Sequence, residues 1–224
     1  MGYHRPMKQT LIITIDGPAG SGKSTIARMA AQERNLVYLD TGAMYRAVAY
    51  WSLKTGQLPE AIAETLDFHI IKDGDGYRFT ANGDDITKAI RTPEIDTEVS
   101  RIAQIMPVRR FLVKKQQEYG VGRRIIMDGR DTGTVVFPDA DLKFYFDASS
   151  AIRAQRRYDE LTEKKITVCY DTIKTDIEER DYKDMHREWG ALCVPENAII
   201  LDTSDKSRQD VLDLLLKHID AYDR

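Results

Sequence analysis

The chain is 224 residues long, 42% hydrophobic and 31% charged, enough to bury well over half of its unfolded surface around a real core, which excludes a disordered or fibrous protein. Set against a soft prior of about 150 residues per domain, that length fits one domain with inserted lobes better than two unrelated domains. Lys and Arg total 33 against 36 Asp and Glu, a net charge of −3, so nothing attracts nucleic acid or anionic membrane globally and any polyanion site must be local.

The start, Met1-Gly2-Tyr3-His4-Arg5-Pro6, has no apolar stretch of signal length, and Pro6 stands where a myristoylation signal needs Ser or Thr. The first element is Leu11-Ile12-Ile13-Thr14-Ile15, a β-branched run that reads as a buried strand ending in the turn Asp16-Gly17-Pro18. A helix is expected from Lys23 to Arg34, with Ile26, Met29 and Ala30 on one face. Similar apolar runs recur at Leu36–Leu39, Ile125–Met127, Leu142–Phe146 and Ala198–Leu201, each followed by a turn and then by helical periodicity. Five such strands alternating with helices predict an α/β fold, a parallel sheet with helices on both faces.

Three other stretches stand out. From His69 to Ile86 the turn signals Asp73-Gly74-Asp75-Gly76 and Asn82-Gly83-Asp84 predict an inserted antiparallel lobe. Two helices are expected on either side of Pro107, Pro93–Met106 and Val108–Tyr119, with Ser100 and Arg109 on their surface. From Arg153 to Arg187, nine basic and nine acidic residues fall among 35 positions and apolar residues are sparse, so this helix pair is expected to be solvent-laced, poorly anchored and able to move as a lid. A last helix from Ser207 carries Val211, Leu214, Leu215, His218 and Ile219 on one face. Cys169 and Cys193 lack a CxxC pairing, and His4, His69, His186 and His218 are scattered, which argues against a disulfide framework or zinc cage. No apolar run has membrane-spanning length, and the expected setting is the cytoplasm.

Gly17-Pro18-Ala19-Gly20-Ser21-Gly22-Lys23-Ser24 satisfies G-x-x-x-x-G-K-[ST] between a predicted strand and a predicted helix. The glycines let backbone N–H groups converge on phosphate oxygens at a helix N-terminus, Lys23 brings charge to the β and γ phosphates, and Ser24 offers a hydroxyl to Mg²⁺. In an empty loop Lys23 is expected to be solvated. Asp40-Thr41-Gly42-Ala43-Met44-Tyr45-Arg46 reads either as an N-cap with Arg46 in solvent or as a second phosphate site at the carboxyl edge of the sheet. Position favours the second. Asp128-Gly129-Arg130-Asp131-Thr132-Gly133-Thr134 follows the third strand at the same edge; as a turn it would be unremarkable, yet Arg130 can bind an anion and Asp131 can accept from an amino group. Arg153-Ala154-Gln155-Arg156-Arg157 and Arg180 to Arg187 read as a surface salt-bridge lattice or as arginines delivered to a transferring phosphoryl group. Spacing picks out no His or Glu base, as suits an acceptor phosphate whose second pKa lies near 6.

Thr14-Ile15-Asp16-Gly17-Pro18 running into the phosphate loop, Asp40 to Arg46, Asp128 to Thr134 with Val135-Val136-Phe137-Pro138, Arg153-Ala154-x-Arg156-Arg157, and Arg180-Asp181-x-x-Asp184 together resemble the bacterial cytidylate kinases, in family order. Thr41 stands where many members have Ser, which keeps the hydroxyl. The resemblance implies a P-loop kinase domain over 8–224 with a five-stranded parallel sheet, a nucleotide-monophosphate region at 40–120 holding a hairpin insert at about 67–91, and a lid at 150–190. It further implies phosphorylation of CMP and dCMP by ATP with Mg²⁺. Residues Gly17 to Ser24 with Thr25 would hold ATP and Ser24 its Mg²⁺. Arg46, Arg130 and Arg187 would hold the CMP phosphate beside Thr41 and Tyr45, Ser100, Arg109 and Asp131 would read cytosine, and Arg180 with Asp184 would contact the ribose. Lys23, Arg130, Arg156, Arg157 and Arg187 would carry catalysis, with Arg156 and Arg157 facing ATP. Expected partners are these small molecules alone, on a monomer, with no nucleic acid and no membrane. Two rivals remain open: a kinase for UMP or a metabolite alcohol, and a P-loop switch that holds nucleotide without turning it over.

Overall fold

The structure, a computed structural model, describes residues 8–74 and 76–223. The expectations for Met1–Pro6 and for the turn residue Asp75 lie outside them. In chain order the elements are β1 (Leu11–Asp16), α1 (Lys23–Glu33), β2 (Val37–Asp40), α2 (Thr41–Thr55), α3 (Pro59–Thr65), β3 (Phe68–Asp73), β4 (Gly76–Ala81), β5 (Asp84–Asp85), α4 (Pro93–Ile102), α5 (Met106–Gly120), β6 (Arg124–Gly129), β7 (Leu142–Asp147), α6 (Ser150–Glu163), α7 (Tyr170–Met185), β8 (Ile199–Asp202) and α8 (Arg208–Tyr222). They form a five-stranded sheet in the order β2-β6-β1-β7-β8 and a three-stranded sheet β3-β4-β5. The chain divides into two units, one formed by the chain up to Val37 and from Gly122 onward, the other by Tyr38–Val121.

In the first unit β1 lies at the centre, parallel to β6 on one side and to β7 on the other, with β8 parallel to β7. A strand covered on both faces shows no polar alternation: Leu11, Ile13 and Ile15 are fully buried on one face, and Thr14 and Asp16 are fully buried on the other. Because these strands are parallel, the segments after β1, β6, β7 and β8 all emerge at one edge, where open α/β sheets bind ligands. Register sets Asp16 opposite Gly129 and Tyr145, and Asp147 opposite Asp202. Helix α1 starts where expected and buries Ile26, Ala27, Ala30 and Ala31.

Arg153 to Arg187 departs from its expected weak anchoring. Ala154, Ile173 and Ile177 are buried, and Tyr158, Leu161, Val168 and Tyr170 pack against them, so α6 and α7 form a helical hairpin with a small core of its own. The apolar positions are few but fall on facing sides.

In the second unit β3 and β4 pair antiparallel, as do β4 and β5, matching the hairpin signals. Helix α2 is capped by Asp40, whose carboxylate accepts from the Ala43 N–H at 2.8 Å. Pro107 does not separate two helices as expected. Helix α4 ends at Ile102, and α5 begins at Met106 with Pro107 in its first turn, where a missing N–H leaves no hydrogen bond unmade. Among the described residues no helix is long and apolar enough to cross a membrane.

Gly17 has φ +148°, and a Cβ there would sit 2.1 Å from the Phe146 carbonyl oxygen; Gly22 has φ +91° and open space around it. Gly17→Ala is expected to cost more than about 2 kcal/mol of unfolding free energy, since it adds a backbone clash to a strained dihedral. Gly22→Ala is expected to cost about 1 to 2 kcal/mol, the left-handed penalty alone. Urea unfolding of both variants checks this ordering, and equal losses would contradict the close approach of the loop to β7.

Candidate phosphate-transfer site

Asp16 closes β1 with no solvent exposure. It accepts from the Thr132 N–H at 2.8 Å, from Thr132 Oγ1 at 2.8 Å and from the Gly133 N–H at 2.7 Å. These bonds tie the base of the phosphate loop to the segment after β6, where residues Thr132–Val136 form one turn of π-helix. Burial pushes the Asp16 carboxyl up, against the downward pull of the three hydrogen bonds and of Lys23.

Lys23 is 4% exposed, which corrects the expectation of a solvated lysine. Its Nζ donates to the Pro18 carbonyl at 2.7 Å and to Ser21 Oγ at 3.2 Å, so the loop folds around its own ammonium. Burial lowers the Lys23 pKa far below the usual lysine value; Arg130 and Arg180 push the same way, and Asp128 and Asp16 oppose them. Ser24 Oγ donates to Asp128 Oδ2 at 2.5 Å, the last strand residue but one of β6. Arg153 donates to the Ala19 carbonyl at 3.0 Å and pairs with Asp181 at 2.6 Å, fixing α6 and α7 to the outer side of the loop.

Arg130 Nε donates to Asp184 Oδ2 at 2.9 Å, and Arg187 Nη2 donates to Asp184 Oδ1. One carboxylate thus gathers two of the expected phosphate arginines. Burial alone would raise the Asp184 pKa, but Arg130, Arg187 and Arg180 pull it below the ordinary aspartate value. Asp131 is 7% exposed, and its backbone carbonyl accepts from Val135 at 2.9 Å. The lid arginines divide. Arg156 donates to Thr203 Oγ1 at 3.1 Å and to the Thr203 carbonyl at 2.5 Å, while Arg157 pairs with Glu160, itself paired with Lys164, in the surface lattice. Thr203 also lies 3.2 Å from the Ser21 carbonyl.

In the second unit Arg46 donates to the Ile90 carbonyl at 3.1 Å and to Asp96. Arg109 is 2% exposed, not at the surface as its sequence setting suggested. It donates to the Ala103 carbonyl at 3.2 Å and lies 5.8 Å from the centre of the Tyr45 ring. Thr41 and Tyr45 are buried. Ser100 is half-buried, its hydroxyl 3.5 Å from the Asp96 carbonyl.

The model of the cytidylate kinase family matches residues 13–221. That span covers both units. The chain belongs to the cytidylate kinase family. It is 41% identical to the cytidylate kinase of Bacillus subtilis over 97% of this chain and the whole of that one. To the cytidylate kinase of Streptococcus pneumoniae it is 47% identical, over 92% of this chain and 95% of that one. An uncharacterised protein of Eubacterium ventriosum shares the fold, with a TM-score of 0.55 at 10% identity, covering 94% of this chain and 99% of its own.

Sequence reading quoted Asp16, Arg153 and Asp181 within motifs but gave them no role of their own, and it passed over Thr203 and Asp96. Asp16 carried a usable signal, an acidic residue at the end of an apolar strand, which cannot be buried without partners. Thr203 and Asp96 gave none, because their partners lie far off in sequence.

Asp184 yields a test of sign. Its folded pKa is lowered, so its ion pairs stabilise the fold above the unfolded value of about 3.9 and that contribution is lost as pH falls through the folded value. Asp184→Asn is therefore expected to be less stable than the parent at pH 7, with the gap closing below about pH 4. Thermal or urea unfolding across pH 3 to 8 measures it; a gap independent of pH would show that the charge of Asp184 is not what holds the two arginines.

Proposed function

We propose that the chain transfers the γ-phosphate of ATP to CMP, and also to dCMP, by direct in-line displacement assisted by Mg²⁺. The observation that carries this reading is the group of arginines beyond the phosphate loop: Asp184 gathers Arg130 and Arg187, and Arg130 and Arg180 are near enough to Lys23 to oppose its charge. A loop for one nucleotide needs its lysine and its backbone amides; further guanidinium groups suit a second phosphate brought up against the first. Membership of the cytidylate kinase family supports CMP as that second substrate. A nucleotide switch would have no use for the extra cations.

In this reading the backbone N–H groups of Gly17 and of Ala19 to Thr25, a donor that Pro18 lacks, and the Lys23 ammonium hold the β and γ phosphates of ATP. For Mg²⁺ the available donors fit: Ser24 Oγ with Asp128 beside it are hard oxygen groups. Among the described residues no cluster of three His, Cys, Asp or Glu could hold a metal, so Ser24 would hold the ion together with phosphate oxygens. Bound there, Mg²⁺ supplies charge neutralisation between the phosphates. The acceptor phosphate is already a dianion at pH 7, so no general base is required. What must be overcome is repulsion between two anions, and that falls to Arg46, Arg130 and Arg187, with Arg156 and Arg157 added from the lid. Asp131 accepts from the cytosine amino group, and Arg109 and Ser100 meet the other polar atoms of the base. Arg180 donates to the ribose, and Asp184 accepts from it through carboxylate lone pairs that Arg130 and Arg187 do not use. Acting on two diffusing nucleotides, the chain is assigned to the cytoplasm as a monomer.

An ADP-release assay with CMP, dCMP, UMP, AMP or no acceptor tests the reading. Rapid turnover is expected with CMP and dCMP, slower turnover with UMP, and little without acceptor. Equal ATP hydrolysis with and without CMP would favour the switch. Asp131→Asn is expected to narrow the CMP over UMP preference in kcat/KM by about 1 to 3 kcal/mol, chiefly by improving UMP, since an amide can donate to the uracil O4.

Lys23 adds a proton-linkage prediction. Bound polyphosphate favours the charged ammonium and raises a pKa that the free protein holds low, so between the two values ATP binding takes up a proton and affinity falls as pH rises. Calorimetric titration in buffers of different ionisation enthalpy reads that uptake. Heats independent of buffer from pH 7 to 10 would mean that Lys23 is fully charged before ATP arrives.

A further inference from the structure

The three-stranded sheet has no part in the chemistry assigned so far, yet the turn that follows it reaches two groups that have. Strand β4 carries that turn. The Ile86 N–H donates to the Phe79 carbonyl at 2.9 Å, the Phe79 N–H donates to Thr87 Oγ1 at 2.9 Å, and Ile90 N–H returns to the Ile86 carbonyl at 3.0 Å. Ile86 and Ile90 are fully buried. A single turn of 3₁₀-helix, Ala89–Arg91, is therefore held against the sheet by both its backbone and its apolar side chains.

Two consecutive residues of this turn face α2. The Ile90 carbonyl accepts from Arg46 Nη1 at 3.1 Å. Arg91 Nη2 donates to Asp40 Oδ2 at 2.7 Å, with its guanidinium carbon 5.4 Å from the centre of the Phe79 ring. Asp40 is the N-cap of the helix that carries Arg46. The contacts close a ring: Asp40 starts α2, α2 presents Arg46, Arg46 binds the Ile90 carbonyl, and the next residue returns to Asp40. The Arg46 side chain, 12% exposed, is held at Nη1 by Ile90 and at Nη2 by Asp96. Its remaining N–H donors are left for an anion.

We propose that Arg91 is a positioning residue for the acceptor phosphate, and that the three-stranded sheet serves as the mount through which Arg91 and the Ile90 carbonyl aim Arg46. This rests on the reading that Arg46 binds the phosphate of CMP. Arg91 is suited to the task because its planar guanidinium can lie over Phe79 while donating to Asp40, which a lysine ammonium does less well. A guanidinium held in advance spends less conformational entropy when the phosphate arrives.

The test is a double-mutant cycle read in KM for CMP and KM for ATP. Arg46→Gln is expected to raise KM for CMP by about ten-fold or more. Arg91→Gln, which does not remove a phosphate ligand, is expected to raise it by about ten-fold with KM for ATP changed by less than about two-fold. If Arg91 acts through Arg46, the double variant should be no worse than Arg46→Gln alone. Multiplicative losses, or a KM for ATP that rises in step, would overturn the proposal by showing a general loss of structure. An unchanged KM for CMP in Arg46→Gln would instead remove the acceptor-site reading, and this proposal with it. Should Arg91→Gln fail to fold, the same cycle with Arg91→Lys decides, since lysine keeps a cation beside Asp40: a smaller rise in KM for CMP that vanishes in the Arg46→Gln background supports the mount, and no rise overturns it.

Discussion

The donor half of the site depends on one buried carboxylate, Asp16. Placed at the end of the central strand, it is removed from water and must be met by donors or be costly to the fold. The donors come from Thr132 and Gly133, so satisfying Asp16 brings the segment that carries Arg130 and Asp131 against the root of the phosphate loop. The arrangement is tight: a Cβ on Gly133 would lie 2.8 Å from Thr14 Oγ1 and 3.3 Å from Asp16 Oδ2. A side chain at position 133 would thus push away the loop that Asp16 holds. Folding and site assembly are the same event here, because the energetic penalty of the orphaned carboxylate is relieved only by the geometry the chemistry needs.

In each unit, cations are held by carboxylates of the same unit. Within the first unit Asp184 holds Arg130 and Arg187, and Asp181 holds Arg153 against the Ala19 carbonyl. Within the second, Asp96 holds Arg46 and Asp40 holds Arg91. Each pair costs desolvation, and none is a strong source of stability by that measure. Their value is orientation. An arginine with a rotamer already fixed stabilises developing charge without reorganising, whereas a free one would lose several rotatable bonds on binding. Lys23 is the contrast: it donates to neutral partners, a carbonyl and a hydroxyl, and burial holds its pKa low.

Much of this was legible from the sequence, and the unevenness has physical reasons. The buried strands were readable because apolar runs bounded by Gly and Asp have few alternatives, and the phosphate loop because its glycines sit between such a strand and a helix. The hairpin lobe was readable from its turn residues. Pro107 misled because proline both ends helices and begins them, and only the packing of α5 decides which. Arg109 misled for a different reason: a lone arginine in a helix is ordinarily at the surface, and nothing local to it announces the ring of Tyr45 on another helix.

The charge-rich hairpin of α6 and α7 shows where pattern reading must fail. Its ion pairs fall into two populations. Arg157, Glu160 and Lys164 form an exposed i,i+3 and i,i+4 lattice along one face of α6, of the kind that composition suggests and that contributes little. Arg153, Asp181 and Asp184 are less buried than Ala154 but slightly more buried than Ile177 beside them. They occupy the inward positions of the helical repeat, where an amphipathic helix would place leucine. Hydrophobic periodicity treats an inward charge as a break in the stripe, so it scores α7, which carries Asp181 and Asp184, as polar all round. The breaks mark where the inner face changes from apolar packing to ion pairs, so the least core-like stretch of this sequence holds the buried carboxylates that fix Arg130, Arg153 and Arg187.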